Sequence, residues 1–178
     1  MEYLPAFSGL YAGQTITSDV KPAEVLLDGL RNKLYHMVFL SGELQDDALY
    51  CRFCLTESLY ICLPSNHSLA HKKEVSFADL NGEYFLMLSE VGCWDKIVRT
   101  EMPDSTFLLQ AEMQHMTTIV QNSTFPSFAT DLTIRLNRNT LLPGRVFIPI
   151  SDESASLSFY AVCRKENLPV LKAFFDTL

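Results

Sequence analysis

Nothing in this chain approaches the roughly 20 consecutive apolar residues of a membrane helix. The opening Met1-Glu2-Tyr3-Leu4-Pro5 has no basic stretch and no apolar stretch behind it, so no secretion signal is expected. Basic residues are scarce and scattered: 14 Lys and Arg against 21 Asp and Glu, a formal net charge of −7. Only Lys72-Lys73 and Arg164-Lys165 stand side by side. A domain that grips DNA by its phosphates needs a basic face, so these residues alone are not expected to bind nucleic acid. Five Cys cannot all pair, and 178 residues supply core enough without disulfides. Reduced thiols in the cytoplasm are the expected state, which leaves the Asn-x-Ser/Thr matches at Asn66 and Asn122 without meaning. There is no internal repeat, no low-complexity segment, no phosphate loop, no paired-carboxylate signature and no Ser-His-Asp pattern. No cofactor and no resident metal are expected.

What is present is a packable chain. Hydrophobic residues make up 48% and charged residues 20%, enough for one domain or two small lobes sharing a border. The organising stretch is Glu57 to Ala70. Leu59-Tyr60-Ile61-Cys62-Leu63 is an uncharged run, as in a strand buried on both faces of a parallel sheet. Pro64 then stops the ladder for want of an N–H.

Around it the pattern alternates helix and strand. Leu4, Phe7 and Tyr11 predict a helix over 2–12, and a short strand is expected at 15–20. Leu26, Leu27, Leu30 and Leu34 predict a helix over 22–34, and 36–40 reads as a buried strand. Parallel pairing with right-handed crossovers is the expectation from this order. Two strands follow at 50–55 and 59–63, a helical turn at 77–80, a strand at 84–88, a helix from Cys93 to about Glu101, and a strand at 107–110. Met113, Met116, Ile119 and Val120 give a helical stripe. Residues 127–132 are left open. Strands at 145–150 and 157–163 precede a closing helix built on Leu168, Leu171, Phe174, Phe175 and Leu178.

In this order the segments resemble the effector-binding domain of LysR-type transcriptional regulators. Glu57 to Ala70, with Pro64, His67, Leu69 and Ala70, is similar to that family's run ending Pro-x-x-His-Pro-Leu-Ala. Val75 to Leu88, and then Val146 to the C-terminal helix, resemble its later segments. Several features depart from the pattern. Ser123-Thr124-Phe125-Pro126 stands where the family has Gly-x-Gly, so that loop must turn differently. His36 replaces the usual Asp, and Ser68 the usual Pro. The family's first strand, its winged helix-turn-helix and its linker helix have no counterpart in these residues.

The resemblance implies an α/β, type 2 periplasmic-binding-protein-like fold, with two lobes joined by two crossover strands. One lobe is expected at about 1–62 and 163–178, the other at about 63–162. It implies a small-molecule effector held in the interlobe cleft, homodimerisation through this domain, and contact with DNA only through a separate N-terminal domain. No membrane contact and no enzymatic activity are expected.

Ser89, Glu90, Gly92 and Cys93, between a buried strand and a helix start, are the first candidates for effector contact. A hydroxyl and helix-start N–H groups there suit a carboxylate, whereas an inward-pointing Glu90 would favour an amine. The plain alternative is an ordinary strand–helix turn. Leu40 and Ser41, at the end of the first-lobe strand, are expected to face the effector from the other side. Thr117 and Thr118 follow from family position, against the plain reading of surface helix residues.

Two other patterns carry rival readings. Cys51-x-x-Cys54, twelve residues, then His67-x-x-x-His71 fits zinc-finger spacing. The finger's helix is contradicted by Ser58 and Pro64 at its apolar positions, so zinc is not expected. Cys93 at a helix start could have a lowered pKa, making it a redox sensor or a nucleophile with His115 as base. A half-buried small apolar residue is the plainer reading. The alternatives to an effector sensor are thus a thiol sensor or enzyme centred on Cys93, and a stand-alone cytoplasmic binding protein.

Overall fold

The computed structural model describes residues 9–13, 15–136 and 142–178. In chain order its elements are α1 (Ala23–Arg31), β1 (Met37–Ser41), β2 (Leu49–Pro64), α2 (Phe77–Leu80), β3 (Tyr84–Leu88), α3 (Cys93–Glu101), β4 (Thr106–Gln110), α4 (Met113–Asn122), β5 (Ser127–Thr130), α5 (Asp131–Leu136), β6 (Arg145–Pro149), β7 (Ser156–Arg164) and α6 (Leu168–Phe175). The chain divides into two compact units. Unit 1 is the chain up to Thr56 together with Ser158–Leu178, and unit 2 is Glu57–Leu157. Strands β2 and β7 each contribute residues to both.

Unit 1 places its strands in the order β1-β7-β2. Period-two alternation sends Val38 and Leu40 to one face, under Leu26, Leu27 and Leu30 of α1. Met37 and Phe39 go to the other face, under Leu171, Phe174 and Phe175 of α6. β1 pairs antiparallel with β7, Met37 opposite Cys163 and Ser41 opposite Phe159. The parallel pairing expected from element order is therefore wrong here: alternation marks a strand but not its direction. No strand forms at 15–20, where all residues but Ile16 are exposed and β-branched side chains have no ladder to join.

Helix α1 stops three residues before its expected end. Leu34 N–H donates to Gly29 C=O (2.8 Å) and Lys33 N–H to Leu30 C=O (3.3 Å), with Lys33 left-handed at φ 65°. This is a Schellman closure with Lys in the position that glycine usually fills. Leu34, expected on the apolar stripe, lies beyond it and is 70% exposed. The predicted helix at 2–12 falls largely outside the described residues.

Unit 2 is a mixed sheet in the order β2-β5-β3-β4, with β6 on β2. Leu59, Ile61, Cys62 and Leu63 are buried as predicted. Their neighbours are antiparallel: Ile61 faces Phe128 of β5 and Ile148 of β6. The two strands expected at 50–55 and 59–63 are one, because Thr56-Glu57-Ser58 contains no Gly or Pro to break the ladder. β3 runs parallel to both β4 and β5. It sends Phe85 and Met87 to the face covered by Phe77, Leu80, Trp94 and Val98. Leu86 meets Met116 and Val120 of α4 on the other face. Residues 127–132 resolve as the strand β5 followed directly by α5.

The loop at 123–126 is held by one side chain. Arg145, first residue of β6, donates from Nη2 to Ser123 C=O (2.6 Å) and from Nη1 to Phe125 C=O (2.8 Å). Leu86 N–H donates to Pro126 C=O at 2.8 Å, so the loop enters β5 extended and not by a glycine turn.

Candidate functional site

Because β3, β4 and β5 are parallel, their carboxyl ends share one edge of the unit 2 sheet. Connections leaving that edge are where open α/β sheets hold ligands. The β3–α3 turn is tied to the end of β4 by Ser89 N–H donating to Gln110 C=O (2.9 Å). Asp131, directly after β5, accepts from the Ser58 N–H (2.9 Å). Beside Ser58, the Glu57 carboxylate accepts the indole N–H of Trp94 (3.0 Å). Four points of the chain thus meet at one rim: 57–58, 89–94, 110 and 131.

The β3–α3 turn owes its shape to Gly92, which sits at φ 62°, ψ −130° as the cap residue of α3. That region is accessible in practice only to glycine. No side chain caps the helix start, so its positive end faces the rim. Ser89 and Glu90 are exposed, Cys93 half-buried, and Trp94 anchors the first turn in the core at 7% exposure. Ser89, Glu90, Gly92 and Cys93 are therefore brought together on one turn.

Cys93 does not have the environment of an activated thiol. Burial pushes its pKa up, and the Glu57 carboxylate adds to that; the N–H groups of Cys93 and Trp94 pull the other way with less weight. No imidazole is among its partners in the described residues. His115 lies on the exposed face of α4, 3.7 Å from the Glu112 carboxylate.

Thr117 and Thr118 lie mid-helix in α4, not at its start. Their hydroxyls donate to Met113 C=O (2.9 Å) and Gln114 C=O (3.0 Å) of the same helix, so each keeps only acceptor capacity. Leu40 and Ser41 belong to unit 1. Leu40 is buried; Ser41 is exposed at the end of β1. Sequence reasoning missed Glu57 and Asp131 as rim residues. Both are ordinary acidic residues in sequence, and only strand pairing brings them to this edge.

The zinc spacing does not make a site. Cys51 packs with the α1-side cluster of unit 1 and Cys54 with the α6-side cluster, as residues three apart on a strand must. One ion cannot reach both. His67 is engaged elsewhere, accepting the Leu69 N–H on Nδ1 and facing Glu83 with Nε2. Among the described residues no group of three or more His, Cys, Asp or Glu side chains could hold a metal, and no helix is long and apolar enough to cross a membrane.

Comparison with known proteins assigns the family. The chain matches the LysR substrate binding domain over residues 1–178. No curated protein matches it by sequence. Among solved structures it is similar to the reduced form of the OxyR regulatory domain from Pseudomonas aeruginosa: 16% identity, TM-score 0.74, 97% of this chain and 86% of that one. The reduced regulatory domain of OxyR2 from Vibrio vulnificus gives 14% identity and TM-score 0.68, with 98% and 84% covered. Full-length CbnR complexed with its target DNA gives 15% identity and TM-score 0.67; the chain spans 62% of that protein. At such identities the structures speak for the fold, which is α/β and type 2 periplasmic-binding-protein-like. By the family match and the fold together, this chain belongs to the LysR substrate binding domains of LysR-type transcriptional regulators.

Proposed function

We propose that this chain is the effector-sensing part of a LysR-type regulator. It binds a small metabolite and passes that event to a DNA-binding domain carried by the full-length protein. The observation that carries this reading is the rim at the carboxyl end of the unit 2 sheet, where Trp94 at the uncapped start of α3 holds Glu57 and the adjacent Ser58 holds Asp131. Ser89, Glu90, Gly92 and Cys93 are the effector contacts of unit 2, where Thr117 and Thr118 supply acceptor oxygens; in unit 1 the candidate contact is Ser41, exposed at the end of β1, with Leu40 buried beneath it. The domain acts as a cytoplasmic homodimer and performs no catalysis of its own.

A thermal-shift screen with organic acids, amino acids and amines tests it. A ligand that binds only the folded state raises Tm, by an increment that grows with its concentration. The expected result is a hit whose shift is lost in Gly92→Ala. A screen without hits, or hits that Gly92→Ala leaves untouched, would count against this site.

A further inference from the structure

A second concavity of unit 2 lies at the opposite, amino-terminal end of β3. It is a groove of about 580 Å³, lined by Pro64, Asn66, His67, Glu83, Tyr84 and Phe125 among others. That volume is in the range of small-molecule sites, roughly 300–1,000 Å³. Among the described residues neither Lys nor Arg lines it, and Glu83 supplies the one carboxylate. Two exposed aromatic side chains stand in the wall, Tyr84 at 57% exposure and Phe125 at 37%.

The polar floor is ordered. His67 Nδ1 accepts the Leu69 N–H at 3.2 Å. Its Nε2 lies 3.3 Å from Glu83 Oε2. The imidazole thus orients the carboxylate. The wall is ordered too. Phe125 stands on the segment that departs from the family's Gly-x-Gly, and Arg145 holds that segment through the Ser123 and Phe125 carbonyls. The Arg145 guanidinium is spent on carbonyls and does not line the groove.

A groove lined by both a carboxylate and exposed aromatic rings has the chemistry that recognises an organic ammonium ion, by charge and by the negative ring face. We infer that this groove is a second ligand site, selective for a small organic cation such as a quaternary or alkyl ammonium. It is separate from the α3 rim and would operate whether or not that rim holds the effector.

Titration calorimetry at low salt tests this on the whole chain, with choline as probe and its uncharged carbon isostere 3,3-dimethylbutan-1-ol as comparison. Saturable choline binding is expected, with the isostere weaker by about tenfold or more. Glu83→Gln keeps the shape and an acceptor for His67, and should lose about tenfold in choline affinity. Tyr84→Ala should lose several-fold. Thermal melts confirm that both variants fold, and a variant that does not is replaced by Glu83→Ala or Tyr84→Leu. Absence of saturable choline binding, equal binding of the isostere, or undiminished binding in Glu83→Gln would each overturn the inference.

Discussion

At the scale of single residues, three positions carry testable chemistry. Gly92→Ala puts a Cβ into open space, so its cost is backbone strain alone, about 1–3 kcal/mol. The expected outcome is a lower Tm together with loss of the effector-dependent shift. Lys33 presents the opposite case, a non-glycine residue held left-handed at φ 65°. Lys33→Gly should stabilise unit 1 by about 0.5–1 kcal/mol, since its exposed ion pair with Glu166 is screened by solvent and offsets little of this. Urea unfolding midpoints read the difference. The third position is Cys93, whose thiol is raised chiefly by burial. Its thiolate fraction at pH 7 must be below that of a free cysteine. Alkylation followed against pH should accelerate only above the ordinary thiol range. Rapid alkylation below pH 7 would instead support the thiol-sensor reading.

At the scale of elements, the 123–126 loop and the unit 1 sheet make separate predictions. Lys has no planar fork with which to hold the Ser123 and Phe125 carbonyls together. Arg145→Lys should therefore cost about 1–2 kcal/mol and raise hydrogen exchange around 123–127. In unit 1, Cys163 is fully buried between β1 and α6, and burial pushes its thiol up to about 11. The folded state keeps that proton where the unfolded chain, with an ordinary thiol, loses it. Stability from this group is whole below about pH 9 and is lost as pH rises toward about 11, by up to about 2 kcal/mol. The alkaline slope of unfolding free energy should be shallower in Cys163→Ala than in the parent, whatever the cavity costs at neutral pH.

At the scale of the whole molecule, family membership argues for assembly, and light scattering is expected to return twice the monomer mass. A strict monomer at high concentration would count against the homodimer. Much of each unit was legible beforehand. The α3 and β3 limits coincide with those read from Cys93–Glu101 and Tyr84–Leu88, because apolar periodicity, a flanking glycine and a helix start all agree there. The strand direction of β1, the fusion of two expected strands into β2, and the absent strand at 15–20 were not legible. Each depends on a partner far away in sequence. The candidate rim divides the same way: its 89–93 turn is one contiguous motif, whereas Glu57 and Asp131 reach it only through the β2–β5 ladder.

By itself the sequence determined most of the helices and strands, most of their apolar faces, and the family to which the order of segments belongs. These are local properties, written in the 3.6- and two-residue periods and in the placement of Gly and Pro. Tertiary structure alone decided strand direction, the acidic company of the α3 start, the raised thiol of Cys93 and the groove around Glu83. Those depend on which distant backbones share hydrogen bonds and how much water their packing removes, and no local pattern records either.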